Sequence, residues 1–267
     1  MPEVTAKDVQ ALRKVTGAGI LDARKALVEC EGDFEKASNW LREKGLAGAA
    51  KRSDRERTQG AVAVYVSSDH KLGAVCALEC ETDFVAKSED FVQLSNKIAE
   101  SLAKDGEDAV ASFSGEIDNL KVVLKENIAI GKTLRFVAGD EAILGSYLHI
   151  QNGHGVNAVL VEVTGGKEEL AHDLAVHIAF GKPTYLKREE VPEEMVAKER
   201  ETIEKISKNE GKPEAAVPKI VEGRLNTWYK DLVLLDQPYV KDDKKQVSDI
   251  LQGAVIERFA QVTVGAE

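Results

Sequence analysis

Most of the residues here whose types could do chemistry have the wrong spacing for it. Gly131-Lys132-Thr133 looks like the end of a phosphate-binding loop. Such a loop needs a glycine five residues ahead of that Gly-Lys pair, so that backbone N–H groups can wrap the phosphates. Position 126 is Glu, whose carboxylate would repel phosphate, and no Asn-Lys-x-Asp base-reading motif accompanies it. The segment reads as an ordinary turn between strands. His172 and His177 are five apart, so they do not share a helix face as zinc ligands at i, i+4 would. With His70, His149 and His154 they read as packed or surface histidines. Cys76 and Cys80 fall at an even spacing in a strand, hence on one face, where free thiols behave as small hydrophobes. No Gly-x-Ser-x-Gly, paired catalytic carboxylate or Gly-x-Gly-x-x-Gly pattern stands out. The expectation is a protein that acts by contact, with no cofactor and no metal. The exposed candidate is Thr82-Asp83-Phe84-Val85, an aromatic between a strand and a helix. Loops on rigid scaffolds carry function; the alternative is a Phe84 folded back onto its own helix as a staple.

Composition narrows the partners. Lys plus Arg is 36 and Asp plus Glu is 46, a net charge of −10 over 267 residues. An acidic chain has no general attraction to phosphate backbones, so nucleic acid is not an expected partner. No apolar run approaches the roughly 18–20 residues that span a bilayer. Met1-Pro2-Glu3 lacks an apolar signal core, and three cysteines suggest free thiols in a reducing compartment, so the expected location is cytoplasmic.

The elements that must position these residues follow from periodicity. Residues 1 to about 45 read as three short helices. Thr5 and Asp8 resemble a capping box before a Val9, Leu12, Val15 stripe. Thr16-Gly17-Ala18-Gly19 breaks the helix, and Ile20, Ala23, Leu27 and Cys30 follow. Asp33 caps a third stripe of Phe34, Ala37 and Leu41, with Gly45 as its stop. Ala47 to Gly60, rich in Lys51, Arg52, Arg55 and Arg57, reads as a solvated linker or a local basic contact patch. Ala61–Val66 and Ala74–Cys80 read as a hairpin, followed by a helix carrying Phe91, Leu94, Ile98 and Leu102. The order then returns: strand 145–150, a Gly-rich turn, strand 158–163 and a helix with Leu170, Leu174 and Ile178. This is a duplicated strand–strand–helix unit in which Glu79 matches Glu162. Pro192 to Trp228 reads as an antiparallel helical hairpin, with Val196, Ile203 and Ile206 on one narrow stripe and Val217, Ile220, Val221 and Trp228 on the other. A helix near Gln246–Leu251 and a strand Val255–Val264 end the chain.

Longer motifs carry a resemblance. Leu12-Arg13-Lys14-Val15-Thr16-Gly17-Ala18-Gly19-Ile20-Leu21-Asp22, with Lys25-Ala26-Leu27, resembles the N-terminal motif of the bacterial elongation factor Ts family. Cys80-Glu81-Thr82-Asp83-Phe84-Val85-Ala86-Lys87 resembles its second motif. Val221-Glu222-Gly223-Arg224-Leu225 and Leu234-Leu235-Asp236-Gln237-Pro238 are also similar. The resemblance implies a translation elongation factor that exchanges guanine nucleotide on elongation factor Tu without a catalytic or nucleotide site of its own. Its partner would be elongation factor Tu, GDP-bound and nucleotide-free. It implies an α+β fold: a three-helix domain like ubiquitin-associated domains, two related α+β core subdomains, and a protruding antiparallel coiled coil. The corresponding boundaries here are 1–57 for the three-helix domain and basic linker, 58–140 for the first core subdomain and 141–267 for the second, with the hairpin inserted at about 190–229.

The resemblance also assigns roles. Thr82, Asp83, Phe84 and Val85 would dislocate the Mg²⁺ of elongation factor Tu, with Asp83 and Phe84 pushing in beside it. Arg13, Ile20, Leu21 and His149 would be contacts; at least one of Ile20 and Leu21 is also expected in the core of the small bundle. Ala77 and Glu79 stand where the family commonly has Glu and Asn, and Arg24 replaces a usual Lys. A C-terminal helix found in some members is not expected, since the sequence stops two residues after Gly265. The competing reading is an adaptor, in which the three-helix domain and the coiled coil recruit another protein.

Overall fold

The computed structural model describes residues 4–265. The signal-sequence reading of Met1–Glu3 and the reading of the residues after Gly265 lie outside them. The chain is an α+β protein. Its N-terminal bundle comprises α1 (Ala6–Thr16), α2 (Ile20–Glu29) and α3 (Phe34–Ala50). Thr5 and Asp8 form the expected capping box, and Asp33 Oδ1 accepts the Lys36 amide at 3.0 Å at the start of α3. Gly17 ends α1 at φ 65°, a left-handed angle that favours glycine. Val9, Leu12, Ala23, Ala26, Leu27, Ala37 and Leu41 make the core.

Two ββαβ units follow. The first runs β1 (Gln59–Val66), β2 (Leu72–Cys80), the short α4 (Asp83–Ala86), α5 (Glu89–Asp105), α6 (Ser114–Leu124) and β3 (Ala129–Val137). Its sheet has the antiparallel order β1-β2-β3. The second has β4 (Ala142–Gln151), β5 (His154–Thr164) and α7 (Glu168–Gly181). The chain then leaves through α8 (Glu193–Asn209) and α9 (Val217–Leu232), passes β6 (Pro238–Tyr239), β7 (Asp242–Gln246) and α10 (Val247–Ile250), and returns as β8 (Val255–Thr263). The order β4-β5-β8 repeats that of the first sheet. The duplication thus extends one strand beyond the strand–strand–helix repeat read from the sequence.

β1, β2 and β5 are buried on both faces along much of their length, which explains their nearly continuous apolar runs. In the first sheet Ala61, Ala63, Cys76, Leu78 and Cys80 face α5, where Phe91, Leu94 and Ile98 meet them. The alternate residues Val62, Val75 and Ala77 face the second sheet, against Leu144, Ala158, Leu160 and Val262. The second sheet packs α7 on its far side through Val159, Val161 and Val163. A period of two supplies both faces of each strand. The layers run helix, sheet, sheet, helix. A Cβ on Gly155 would come within 2.2 Å of the Val62 carbonyl oxygen. The sheets can approach this closely only because that position has no side chain.

Several expectations are corrected. Gly45 does not stop α3, which continues to Ala50. It is instead the point where α3 meets α6, since a Cβ there would lie 2.4 Å from Val122 Cγ1. Val15 and Ile20 carry helical spacing yet point outward, and neither Ile20 nor Leu21 enters the bundle core. The basic stretch is solvent-exposed, as expected of a linker, but it is strapped to the first unit rather than free. Asn127 Nδ2 donates to the carbonyls of Ser53 and Arg55 at 2.9 and 2.7 Å, and Arg55 and Arg57 pair with Glu81 and Glu79. Gly131-Lys132-Thr133 lies inside β3 rather than in a turn, and Glu79 Oε1 would fall 2.2 Å from a Cβ on Gly131. In the helical hairpin Ile203, Val217, Val221 and Leu225 form the seam. Ser207 takes the buried place expected for Ile206, its hydroxyl donating to the Ile203 carbonyl at 2.8 Å.

Candidate functional site

β2 ends at Cys80, and the backbone must turn out of the sheet to start α4. Thr82 is the N-cap of that turn, and its hydroxyl accepts the Val85 amide at 3.4 Å. The turn is held mainly from outside. Glu126 Oε2 accepts the amides of Glu81 and Thr82 at 3.0 and 3.1 Å, and Glu126 Oε1 accepts the Thr82 hydroxyl at 2.5 Å. Glu81 in turn accepts the Asn127 amide at 2.6 Å. Val85 and Ala86 enter the core under α5. This leaves Asp83 and Phe84 at the crest.

Phe84 is 72% exposed, so it is not a staple folded onto its own helix. Its companion is Lys87, one turn on, whose Nζ lies 4.3 Å from the ring centre and 3.1 Å from Asp83 Oδ2. Asp83, Phe84 and Lys87 therefore form one exposed acid–aromatic–base group. Beneath it the thiols of Cys76 and Cys80 are pushed up to about 12 by burial, with the Glu126 carboxylate adding to the effect at Cys80. They are packing groups, not nucleophiles.

His149 lies in β4, in the other unit. It stacks on Tyr147 at 6.4 Å between ring centres and meets Phe180, at the end of α7, edge-on at 6.0 Å. Phe180 is itself exposed. His149, Phe180 and Asp83 line one cleft of about 500 Å³, together with Gln59 and Lys182. The structure thus brings Asp83 and His149 to a common surface although 66 positions separate them.

The third group stays on the bundle. Ile20 and Leu21, 58% and 81% exposed, begin α2 directly after Gly19. Arg13 Nε donates to the Ala18 carbonyl at 3.2 Å, which braces the Gly17–Gly19 turn from the side of α1. Two large apolar side chains displayed at a helix start contribute nothing to the bundle core and are available to a partner.

Sequence reading missed Glu126, Lys87 and Phe180. Glu126 enters that reading only as the residue that spoils a phosphate loop, and nothing in its neighbours points to a turn 44 residues earlier. Lys87 had a signal, its i, i+4 spacing from Asp83. Among the described residues no three His, Cys, Asp or Glu side chains converge as metal ligands, and no helix is long and apolar enough to cross a membrane.

Two packed ββαβ units, a helical bundle, a helical hairpin and an exposed acid–aromatic turn define an α+β protein built to act by contact. The family model described as elongation factor TS matches residues 81–266. Elongation factor Ts of Streptomyces avermitilis is 43% identical over 277 residues, covering 99% of this chain and all of that protein. That of Kineococcus radiotolerans is 42% identical with both chains fully covered, and that of Nitratidesulfovibrio vulgaris is 40% identical over 93% of this chain and 88% of its own. The chain belongs to the elongation factor Ts family.

Proposed function

We propose that this protein releases GDP from elongation factor Tu, acting in the cytoplasm and holding no nucleotide itself. The observation that carries the reading is the latched turn: Phe84 exposed at its crest, with Val85 and Ala86 anchored in the core behind it. A ring on such a base can enter a seam between packed elements of a partner without the base giving way. Packed interiors shift as units rather than deform locally, so the insertion moves the groups around the partner's nucleotide. Asp83 travels with Phe84, and the pair would enter beside the Mg²⁺ of elongation factor Tu and displace the groups that hold it. As its ligands move, the ion leaves, and GDP loses its counter-charge and dissociates.

Binding by Ile20, Leu21 and Arg13 on the bundle and by His149 on the second unit would hold the complex while this happens. We read residues 1–57 as the docking module with its strap, 58–140 as the unit carrying the wedge, and 141–267 as the second contact unit with its inserted hairpin. The coupling is reciprocal: GDP must weaken this protein's binding by the factor with which the protein weakens GDP, typically ~1–3 kcal/mol.

The test follows fluorescent GDP leaving elongation factor Tu as this protein is added. Release should accelerate with concentration to a plateau. Release at the intrinsic rate under saturating protein would overturn the reading and favour the adaptor.

A further inference from the structure

We propose that Glu126 is the positioning residue of the exchange turn, setting the direction in which Asp83 and Phe84 leave the body. The inference rests on the exchange reading above. Four-residue α4 is too short to hold its own geometry, because helix nucleation is unfavourable before several turns have formed. Its internal cap, Thr82 to the Val85 amide, is long at 3.4 Å. The Glu126 carboxylate supplies what is missing. It takes two consecutive amides and one hydroxyl from Glu81 and Thr82, the last residues before the crest. Among the described residues it pairs with no Lys or Arg, so its oxygens serve the turn rather than an ion pair.

Glu126 is itself fixed from both sides. Lys125 ahead of it reverses the chain at φ 60° at the end of α6. Behind it Asn127 is locked by the Glu81 carboxylate and by the Ser53 and Arg55 carbonyls, and Ile128 is buried under α5. The position of the carboxylate is therefore inherited from the core. Exposed Phe84 is not packed into the core, and Lys87, which lies over its ring, rides on the same turn, so its direction is inherited from the turn. A displacement of about 1 Å in a tightly fitted group can cost two orders of magnitude in rate.

The experiment uses the full chain with Glu126→Ala and Glu126→Gln. It reads the plateau rate of GDP release, the half-saturating concentration, and amide hydrogen exchange at Glu81 and Thr82 in the free protein. Glu126→Ala should expose both amides and lower the plateau about tenfold, with a smaller change in half-saturation. In Glu126→Gln the amide oxygen still accepts backbone N–H groups and the amide nitrogen can donate to the Thr82 hydroxyl. That variant should keep the plateau within about threefold of native. A native plateau in Glu126→Ala, or a loss confined to half-saturation, would overturn the inference while leaving the exchange reading intact. Unchanged amide protection would overturn it as well. If Glu126→Ala shows no thermal transition, Glu126→Asp replaces it: the shorter arm withdraws the carboxylate, and the same plateau loss is expected, with a native plateau overturning the proposal. A native chain that leaves GDP at its intrinsic rate removes the exchange reading itself, and the native arm alone reports that.

Discussion

Asp83 and His149 line the same cleft, one from the turn after β2 and the other from β4. The two ββαβ units are packed sheet against sheet, so the wedge and the second unit's aromatic cluster present themselves on one side of the molecule. A partner that receives Phe84 would also meet His149 and Phe180. His149→Ala should therefore raise the half-saturating concentration for GDP release about fivefold, as for a contact of moderate strength, and leave the plateau within about twofold. Titration of release rate against protein concentration separates the two.

The close approach of the sheets makes a stability prediction. Gly155→Ala would set a methyl group 2.2 Å from the Val62 carbonyl oxygen, a backbone atom that cannot swing aside. The sheets must part, at a cost of about 2–3 kcal/mol. Urea unfolding should show a lower midpoint with an unchanged slope.

His177 gives a pH dependence. It is buried, and burial pushes its pKa below the ordinary 6.5, with its bond to Gln237 opposing the shift. Its Nδ1 accepts the Val240 amide at 3.2 Å, so its Nε2 carries the proton and donates to Gln237 Oε1 at 3.0 Å. Gln237 is oriented for this by donating to the Gly181 carbonyl at 2.9 Å. The folded state thus binds the proton less readily than the unfolded state. This contribution is complete above 6.5 and is lost as the pH falls from there through the depressed folded value. The thermal midpoint of the native chain should fall between pH 7.5 and about 5.5 by more than that of His177→Gln, whose side chain does not titrate. Parallel falls would contradict this.

Glu162 is buried and bonded to Arg258 Nε at 2.7 Å and to the Gly139 amide at 2.9 Å. Arg258 also lies over Phe136, 4.2 Å from the ring centre. Arg258→Ala leaves the carboxylate buried without its cation and should cost about 2 kcal/mol, less than a fully buried pair because the guanidinium is half exposed. Chemical denaturation measures it directly.

Much of the fold was legible because local rules and tertiary packing agree in it. The Thr5–Asp8 box, the Asp33 cap, the β1–β2 hairpin and the α5 stripe each form where their residues place them. The failures lie where packing between elements overrides the local signal. Gly45 reads as a stop but serves as a gap for Val122. Ile20 completes an apolar stripe yet stays outside the bundle core. β3, with mixed Gly, Lys, Thr and Arg, has no clear alternation and becomes a strand because β2 offers it an edge. The Thr82–Val85 turn was visible as a motif. Its support was not, because Glu126 reaches it from a distant loop through backbone amides, which leave no trace in residue type.

In the proposed mechanism a Phe84 ring carried on a fixed base drives release. Phe84→Ala removes the ring and leaves the Glu126 bonds and the buried Val85 and Ala86 in place. The measurement is the plateau rate of fluorescent GDP release from elongation factor Tu, native against Phe84→Ala, each at saturating protein. Withdrawing the burial of one Phe ring from the opened state should lower the plateau by at least about tenfold. A Phe84→Ala plateau equal to native would contradict the account and place the opening step on another surface of the chain.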